Sequence, residues 1–212
     1  MLSIPAFRTN TPDDLHCVEA CVAMILETVD PTKTYSLEDL GRIAGKIKGG
    51  WTWPMRLMVW LADQGFEIIS EVGFDYPAFA TDGALYLERT FGNEVARTQV
   101  AHADIDAERK AVPAFLERIQ PQKMIPTMTR LRELLAQEYF LMCNVNSRII
   151  HGQSGYCGHA ILIYRIEGDR VYVHDPGLPA ARAKQISIDL FERAWAFPNE
   201  EAKGLLAIKP KT

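Results

Sequence analysis

The amino-acid sequence predicts an α+β fold, with helices in the first two-thirds of the chain and antiparallel strands in the last third. Apolar residues recur at helical spacing from Cys17 to Val29 and again after Pro54. Short apolar runs at 139–146, 159–166 and 170–174 predict strands, the last two joined by a Glu-Gly-Asp turn. No repeat, low-complexity tract or long linker interrupts the 212 residues, so we expect one domain over residues 1–212.

Each element of the first part has a local signal. The helix at 17–29 is apolar nearly all round, which indicates a buried central helix, and Asp30-Pro31 ends it. Ser36 and Gly45 bound a second helix. Thr52 as cap and Pro54 as first residue predict a third helix that ends at Gly65, followed by a strand at 66–72. Residues 1–9 are expected to be extended.

The segment from about 75 to 135 carries more charge and predicts a helical insertion. Helices are expected around 77–90, 113–119 and 128–137, with breaks at Gly92, Pro121 and Pro126. Surface helices explain this segment most simply; a lid or exosite that controls specificity is the alternative. A helix capped by Ser187 and a strand at 204–210 close the chain.

Composition excludes several classes of function. Hydrophobic residues make up 48% and charged residues 24%, with a net charge of −4, so we expect neither a nucleic-acid partner nor a membrane partner. No run approaches the roughly 18 apolar residues of a membrane helix. The first residues lack a basic region followed by an apolar stretch, so we expect no signal peptide and a cytoplasmic location. Four cysteines are too few for a disulfide scaffold, and the oligomeric state stays open.

Three residues form a candidate catalytic set. Cys17 begins the apolar helix, His159 opens one predicted strand, and Asp175 ends the next. A cysteine with a distant histidine and a distant Asp or Asn is a candidate thiol nucleophile. Unpaired amides of the first helical turn would stabilise a thiolate and help hold an oxyanion. The hairpin would bring His159, as general base, to Asp175, which would orient the imidazole ring.

These residues lie in motifs that resemble one family. The run CVEACVAMIL resembles the C-G-P-A-S-L-A-M-V-L type of run in the double-glycine leader peptidases of bacteriocin exporters and their stand-alone relatives. GHAILIY resembles that family's G-H strand, VYVHDPG its V-Y-V-x-D-P signature, and ISIDLFERAW its closing helix. The match covers about residues 10–65 and 138–209. It places Cys17, His159 and Asp175 on the family's nucleophile, base and orienting acid.

The resemblance implies a papain-like fold, in which the nucleophile helix of an N-terminal helical part packs on a C-terminal antiparallel sheet. It implies a cysteine peptidase, or a related thiol-dependent amide hydrolase or acyl transferase, that acts on a peptide or protein tail without a cofactor. Two other functions stay open. One is a catalytically weak papain-fold module that binds a peptide; the other is a transglutaminase- or amidase-like enzyme acting on a non-peptide amide.

The sequence departs from the family at two places. Val18 and Glu19 stand where the family has Gly-Pro after the nucleophile. Thr11 stands where the family has the glutamine that donates a hydrogen bond to the oxyanion. We therefore expect Asn10, or Thr11 itself, to act as the substitute donor.

Two further groups of residues are candidates for other roles. Trp51 and Trp53 beside a glycine loop, and Gln153 and Tyr156 in the loop before His159, are predicted to contact substrate, although a packed core edge also explains the tryptophans. The cysteines and histidines include no C-x₂-C pair and no H-x₃₋₅-H pair, so no metal site is predicted.

Overall fold

The computed structural model describes residues 4–211, so residues 1–3 and 212 of the predicted domain lie outside the described residues. The helices are α1 (Cys17–Val29), α2 (Leu37–Ala44), α3 (Met55–Asp63), α4 (Tyr76–Asp82), α5 (Ala84–His102), α6 (Ile105–Ile119), α7 (Met128–Ala136), α8 (Ser147–Ile150) and α9 (Ile188–Trp195). The strands are β1 (Phe66–Val72), β2 (Gln122–Lys123), β3 (Phe140–Asn146), β4 (Gly158–Glu167), β5 (Arg170–Asp175), β6 (Ala181–Ser187) and β7 (Gly204–Pro210). No strand includes residues 4–9.

A sheet of seven strands divides the described residues into two cores. The strand order is β2-β1-β7-β3-β4-β5-β6; the pairs are antiparallel except for β1 with β2. Met142 and Leu162 belong to the core that contains α1, whereas Cys143 and Ile161 belong to the core that contains α9. Successive residues of a strand point to opposite faces, so both faces of the sheet are covered. The predicted α+β arrangement is therefore confirmed.

Helix α1 lies in the larger core, as its apolar surface predicts. Every residue from Val18 to Leu26 is buried, and the helix packs against β4. Its N-cap residue, His16, makes no side-chain cap. Instead the His16 backbone N–H donates to the side-chain oxygen of Asn10 at 2.6 Å. This contact fixes the turn that places Cys17 at the first helical position.

Several predicted boundaries are confirmed and one cap is wrong. Ser36 caps α2, Ser187 caps α9, and α2 ends at Gly45, whose φ of 72° suits glycine. Thr52 does not cap α3, which begins after Pro54 without a side-chain cap. The Thr52 hydroxyl instead donates to the fully buried carboxylate of Glu19. The Glu19 carboxylate is removed from water and needs hydrogen-bond partners within the protein, whereas the first N–H groups of a helix can bond to water where water reaches them.

The middle of the chain is helical and is interrupted at the predicted places. Gly92, with φ 83° and ψ 167°, breaks the helical backbone within α5. Helix α6 ends before Pro121 and α7 begins after Pro126. A further break, which was not predicted, lies at Gly83. Pro113 lies inside α6, which starts earlier because the Asp104 side chain accepts a hydrogen bond from the Ala107 N–H. Strand β6 escaped prediction because it is a largely polar edge strand with no apolar alternation. None of the helices within residues 4–211 is long and apolar enough to cross a membrane.

A buried histidine joins the N-terminal segment to the sheet. His174 is fully buried; its Nδ1 accepts a hydrogen bond from the Ala183 N–H at 3.1 Å, so its Nε2–H donates to the Pro5 carbonyl at 3.1 Å. Burial lowers the pKa of His174 below its ordinary value of 6.5. The folded protein therefore holds a neutral imidazole where the unfolded chain would take up a proton.

We expect His174 to make stability depend on pH below 6.5. Its contribution is complete above pH 6.5 and is lost as the pH falls through the lower folded pKa, because the unfolded chain then binds more protons. The free energy of unfolding in urea, measured at pH 8 and pH 5.5, should fall more for wild type than for His174→Gln. Burial also raises the pKa of Glu108 to about 7, and this makes both proteins more stable as the pH falls. The contribution of His174 is therefore measured as the difference between the two proteins. Equal falls would contradict the expectation.

Candidate active site

The fold brings Cys17, His159 and Asp175 together. Cys17 begins α1, His159 is the second residue of β4, and Asp175 ends β5. The Nε2 atom of His159 lies 2.7 Å from Oδ1 of Asp175. This leaves Nδ1 as the ring nitrogen available to Cys17. The Cys17 sulfur also contacts β4 at the next residue, because the backbone N–H of Ala160 donates a hydrogen bond to it at 3.4 Å.

Three donors surround the Asp175 carboxylate. Its Oδ1 accepts from His159 and, at 3.2 Å, from the backbone N–H of Gly177; its Oδ2 accepts from Nζ of Lys184 at 3.0 Å. The carboxylate is 3% exposed and the lysine side chain 24%, so this pair is better shielded than a surface ion pair. Lys184 lies on the polar edge strand β6 and carries no sequence motif that would have pointed to it.

The Asp-Pro-Gly motif has a steric reason. A Cβ atom on Gly177 would lie 2.8 Å from Cε1 of the His159 ring and 3.3 Å from Oδ1 of Asp175. Real Cβ contacts do not reach the first of these distances, so only glycine lets the backbone pass this close to the ring. The turn after β5 therefore holds the imidazole against Asp175.

The pair carries charge at neutral pH. Burial acts to lower the pKa of His159, but hydrogen bonds with Asp175 and Cys17 outweigh it and raise the pKa to about 10. Burial acts to raise the pKa of Asp175, but His159 and Lys184 outweigh it and lower the pKa to about 2. With these pKa values the ring is protonated and the carboxylate is ionised at pH 7, so the second ring N–H is available to the Cys17 sulfur.

Asn10 and Thr11 brace the loop before α1. The Asn10 side-chain oxygen accepts from the backbone N–H groups of Thr11 and His16, and its amide nitrogen donates to Asp14 at 2.7 Å. The Thr11 hydroxyl lies 2.7 Å from Nδ1 of His16. Neither residue lines the cavity at Cys17. These bonds give both side chains a role in the loop, and their contact with an oxyanion stays a prediction.

Glu19 ties the start of α1 to two neighbouring loops. Its side chain is fully buried, with Nζ of Lys46 at 3.7 Å and the Thr52 hydroxyl hydrogen-bonded to it. The same ammonium group donates to the backbone carbonyl of Leu15. The network therefore joins the turn before Cys17 to the segment that carries Trp51 and Trp53.

A cavity of about 600 Å³ opens at Cys17 and His159. All four predicted substrate-contacting residues line it: Trp51, Trp53, Gln153 and Tyr156. The insertion lines it as well, through Tyr76, Leu87, Phe91 and Gln99. The middle segment therefore forms part of the cavity wall, which favours the alternative of a lid or exosite over the expected plain surface helices.

Gln99 of α5 connects the insertion to the loop before His159. Its side-chain oxygen accepts from the Trp53 indole N–H at 3.0 Å, and its amide nitrogen donates to the Tyr156 hydroxyl at 2.9 Å. His102, one turn further along α5, stacks on Trp51 with ring centroids 4.6 Å apart. Sequence reasoning missed Gln99 because nothing distinguishes it from the other polar residues of a long helix.

Comparison with solved structures agrees with this architecture. The structure is similar to the peptidase domain of Streptococcus ComA, described as a bifunctional ABC transporter involved in a quorum-sensing pathway, with a TM-score of 0.55. The alignment covers 99% of this chain and 100% of that domain at 12% sequence identity. The chain has a papain-like peptidase fold. This confirms the predicted fold class. No protein-family model matches the chain, and no curated protein sequence is significantly similar to it.

Among residues 4–211, no group of three or more His, Cys, Asp or Glu side chains is arranged to hold a metal ion. Cys21, one turn beyond Cys17, is fully buried, and burial raises the pKa of its thiol well above the ordinary value. Cys143 is buried on the other side of the sheet. Only Cys17 and Cys157 among the cysteines are partly exposed.

Proposed function

We propose that the protein is a cysteine peptidase-like hydrolase or a related thiol acyl-transfer enzyme. Cys17 would be the nucleophile, His159 the general acid and base, and Asp175 the residue that orients the ring. The observation that carries the proposal is the 2.7 Å contact between His159 Nε2 and Asp175, which leaves Nδ1 for the cysteine that begins α1. A buried imidazolium beside a thiol at a helix N-terminus is the arrangement that stabilises a thiolate.

The reaction would proceed through an acyl-enzyme. The Cys17 sulfur attacks the carbonyl carbon of an amide, and the oxygen becomes an oxyanion that the Cys17 backbone N–H stabilises. His159 gives its Nδ1 proton to the leaving nitrogen as the C–N bond breaks, which leaves the acyl group on sulfur. Water, or an acceptor nucleophile, then loses a proton to His159 and releases the acyl group.

A second candidate is a peptide-binding module that uses the same cavity without efficient turnover. The observation that favours it is the absence of a side-chain oxyanion donor among the residues that replace the family's glutamine, since Asn10 and Thr11 are bonded within their own loop. Loss of one such donor typically costs about 100–1,000-fold in rate. Turnover of an amide by the wild type would exclude this candidate.

We expect Cys17 to be the most reactive cysteine of the folded protein. Substoichiometric iodoacetamide at pH 7, followed by peptide mapping, should label Cys17 well before Cys157, which is also partly exposed but has no imidazolium partner. His159→Ala should slow the labelling of Cys17, because the thiolate loses its counter-charge. The labelling of Cys157 in the same sample is the control for general accessibility.

Two results would contradict the assignment of Cys17 as the nucleophile. If Cys17 reacts no faster than Cys157, or if His159→Ala leaves its rate unchanged, the assignment of the nucleophile is wrong. Labelling after denaturation in urea should remove the difference, since it depends on the folded site.

A further inference from the structure

We propose that the insertion pocket, defined here as Trp53, Phe74, Tyr76, Leu87 and Phe91, binds an unbranched apolar acyl chain, so that the substrate is an acylated amine rather than an extended peptide. The inference rests on the proposed function, because it places the acyl carbonyl at Cys17. All five side chains line the cavity that opens at Cys17 and His159.

The cavity has a polar mouth and an apolar interior. Apart from the buried His159 and the partly buried Gln99, the charged and amide side chains in its lining are exposed: Asp14, Asn144, Arg148, His151 and Gln153. Leu87 and Phe91, in contrast, are at most 9% exposed although they line the same space. A ligand that enters this space therefore leaves its polar part at the mouth and its apolar part in the insertion pocket.

Two of the polar side chains near the insertion pocket are already paired. The Trp53 indole N–H donates to Gln99, and the Gln99 amide nitrogen donates to the Tyr156 hydroxyl. An extended peptide would bring one backbone donor and one acceptor per residue into this largely apolar space and leave most of them without partners. An alkyl chain brings none, so the pocket selects for it.

The size of the cavity also favours a chain over a single side chain. The cavity volume of about 600 Å³ lies within the roughly 300–1,000 Å³ typical of sites that hold a whole small molecule, so one peptide side chain would leave much of the space empty. Aromatic rings frame the pocket: the Phe74 and Phe91 rings are nearly parallel with centroids 6.0 Å apart, and Trp53 is edge-on to Phe74 at 6.0 Å. An apolar lining of this kind suits an alkyl chain.

The chemistry of such a substrate balances without a further reactant. The Cys17 thiolate attacks the acyl carbonyl carbon and forms the S–C bond, and the C–N bond breaks with the proton from His159 going to the amine. Water then cleaves the S–C bond and yields a free carboxylic acid and the thiol. No oxidant, reductant or metal takes part.

A chain-length series tests the inference with the intact protein. We would measure kcat/KM for the 4-nitroanilides of acetic, butanoic, hexanoic and octanoic acid, and for an extended tetrapeptide 4-nitroanilide. The value should rise about fourfold for each added methylene until the chain fills the pocket, because burying one methylene is worth about 0.8 kcal/mol. The octanoyl compound should exceed the tetrapeptide.

Two variants test whether the gain in kcat/KM with chain length arises in the insertion pocket. Leu87→Trp should abolish the gain from chain length, whereas Leu85→Trp, an exposed neighbour on the same helix, should behave as wild type. Ala202→Phe, which fills the cavity from its partly exposed 3₁₀ turn, repeats the test if Leu87→Trp fails to fold.

The outcomes separate the two proposals. Equal turnover of all chain lengths, or preference for the tetrapeptide, would overturn the acyl pocket and leave the proposed function standing. If no compound is turned over, calorimetric titration of Cys17→Ala with acetamide and octanamide decides. Binding of octanamide alone, weakened by Leu87→Trp, supports the pocket while the proposed function fails. No binding of either amide overturns the pocket.

Discussion

Cys17→Ala should lower the rate of amide cleavage by about 10⁴-fold or more, because the variant can still bind substrate but has no nucleophile. The proposed reaction forms its covalent bond at this sulfur. Cys21 is fully buried, and burial raises the pKa of its thiol well above the ordinary value. The expected loss is therefore almost complete.

Cys157→Ala provides the matched control, since Cys157 lines the same cavity and is also partly exposed. It should keep turnover within a few-fold of wild type. The free energy of unfolding of Cys17→Ala, measured beside its activity, shows whether loss of the sulfur's contacts with the Ala160 N–H and His159 affects the fold. Retention of more than a few per cent of activity by Cys17→Ala would place the nucleophile elsewhere.

The predicted elements that proved right are those with strong local signals. The apolar surface of 17–29 required burial, and Ser36, Gly45 and Ser187 are residues whose side-chain or backbone chemistry fixes a helix end. The hairpin of β4 and β5 followed from two apolar runs and a short turn. These signals sufficed to bring His159 and Asp175 to one end of the sheet, where they lie in contact.

What the sequence did not reveal depends on contacts distant in the chain. Thr52 has the chemistry of a cap, but the buried Glu19 lies 33 residues earlier and takes its hydroxyl. Lys184 looks like any lysine of a polar edge strand until β6 places it 3.0 Å from Asp175. Gln99 is an ordinary polar helix residue until α5 folds over Trp53. A single sequence contains no periodicity or motif for such pairings.

Asp175→Asn should lower kcat/KM by about 10³–10⁴-fold, more than the small chemical change would suggest. The wild-type carboxylate faces three donors: His159 Nε2–H, the Gly177 N–H and the Lys184 ammonium group. An asparagine has one oxygen, so its NH₂ group must face either Lys184 or the other two donors. Either orientation sets donor against donor in a buried site, and the turn of the amide that satisfies Lys184 breaks the bond to His159.

Removal of the Lys184 ammonium group should restore part of the activity that Asp175→Asn loses. In Asp175→Asn/Lys184→Met the amide nitrogen can face the side that the ammonium group has left, and the oxygen can again accept from His159. The double variant should therefore be at least about tenfold more active than Asp175→Asn, a coupling that independent sites do not show. Lys184→Arg, which keeps the cation, is the control and should not rescue Asp175→Asn.

The pH dependence gives a readout that a loss of folding would not produce. Asp175 helps raise the pKa of His159 to about 10, so both asparagine variants should lose activity at a lower alkaline pH than wild type. The sign follows because the imidazolium loses its carboxylate and gives up its proton more easily. A profile of kcat/KM from pH 5 to 10.5 measures the shift. If Asp175→Asn keeps full activity with an unchanged alkaline limb, the ring is oriented by the Gly177 turn alone and the carboxylate has no part in the reaction.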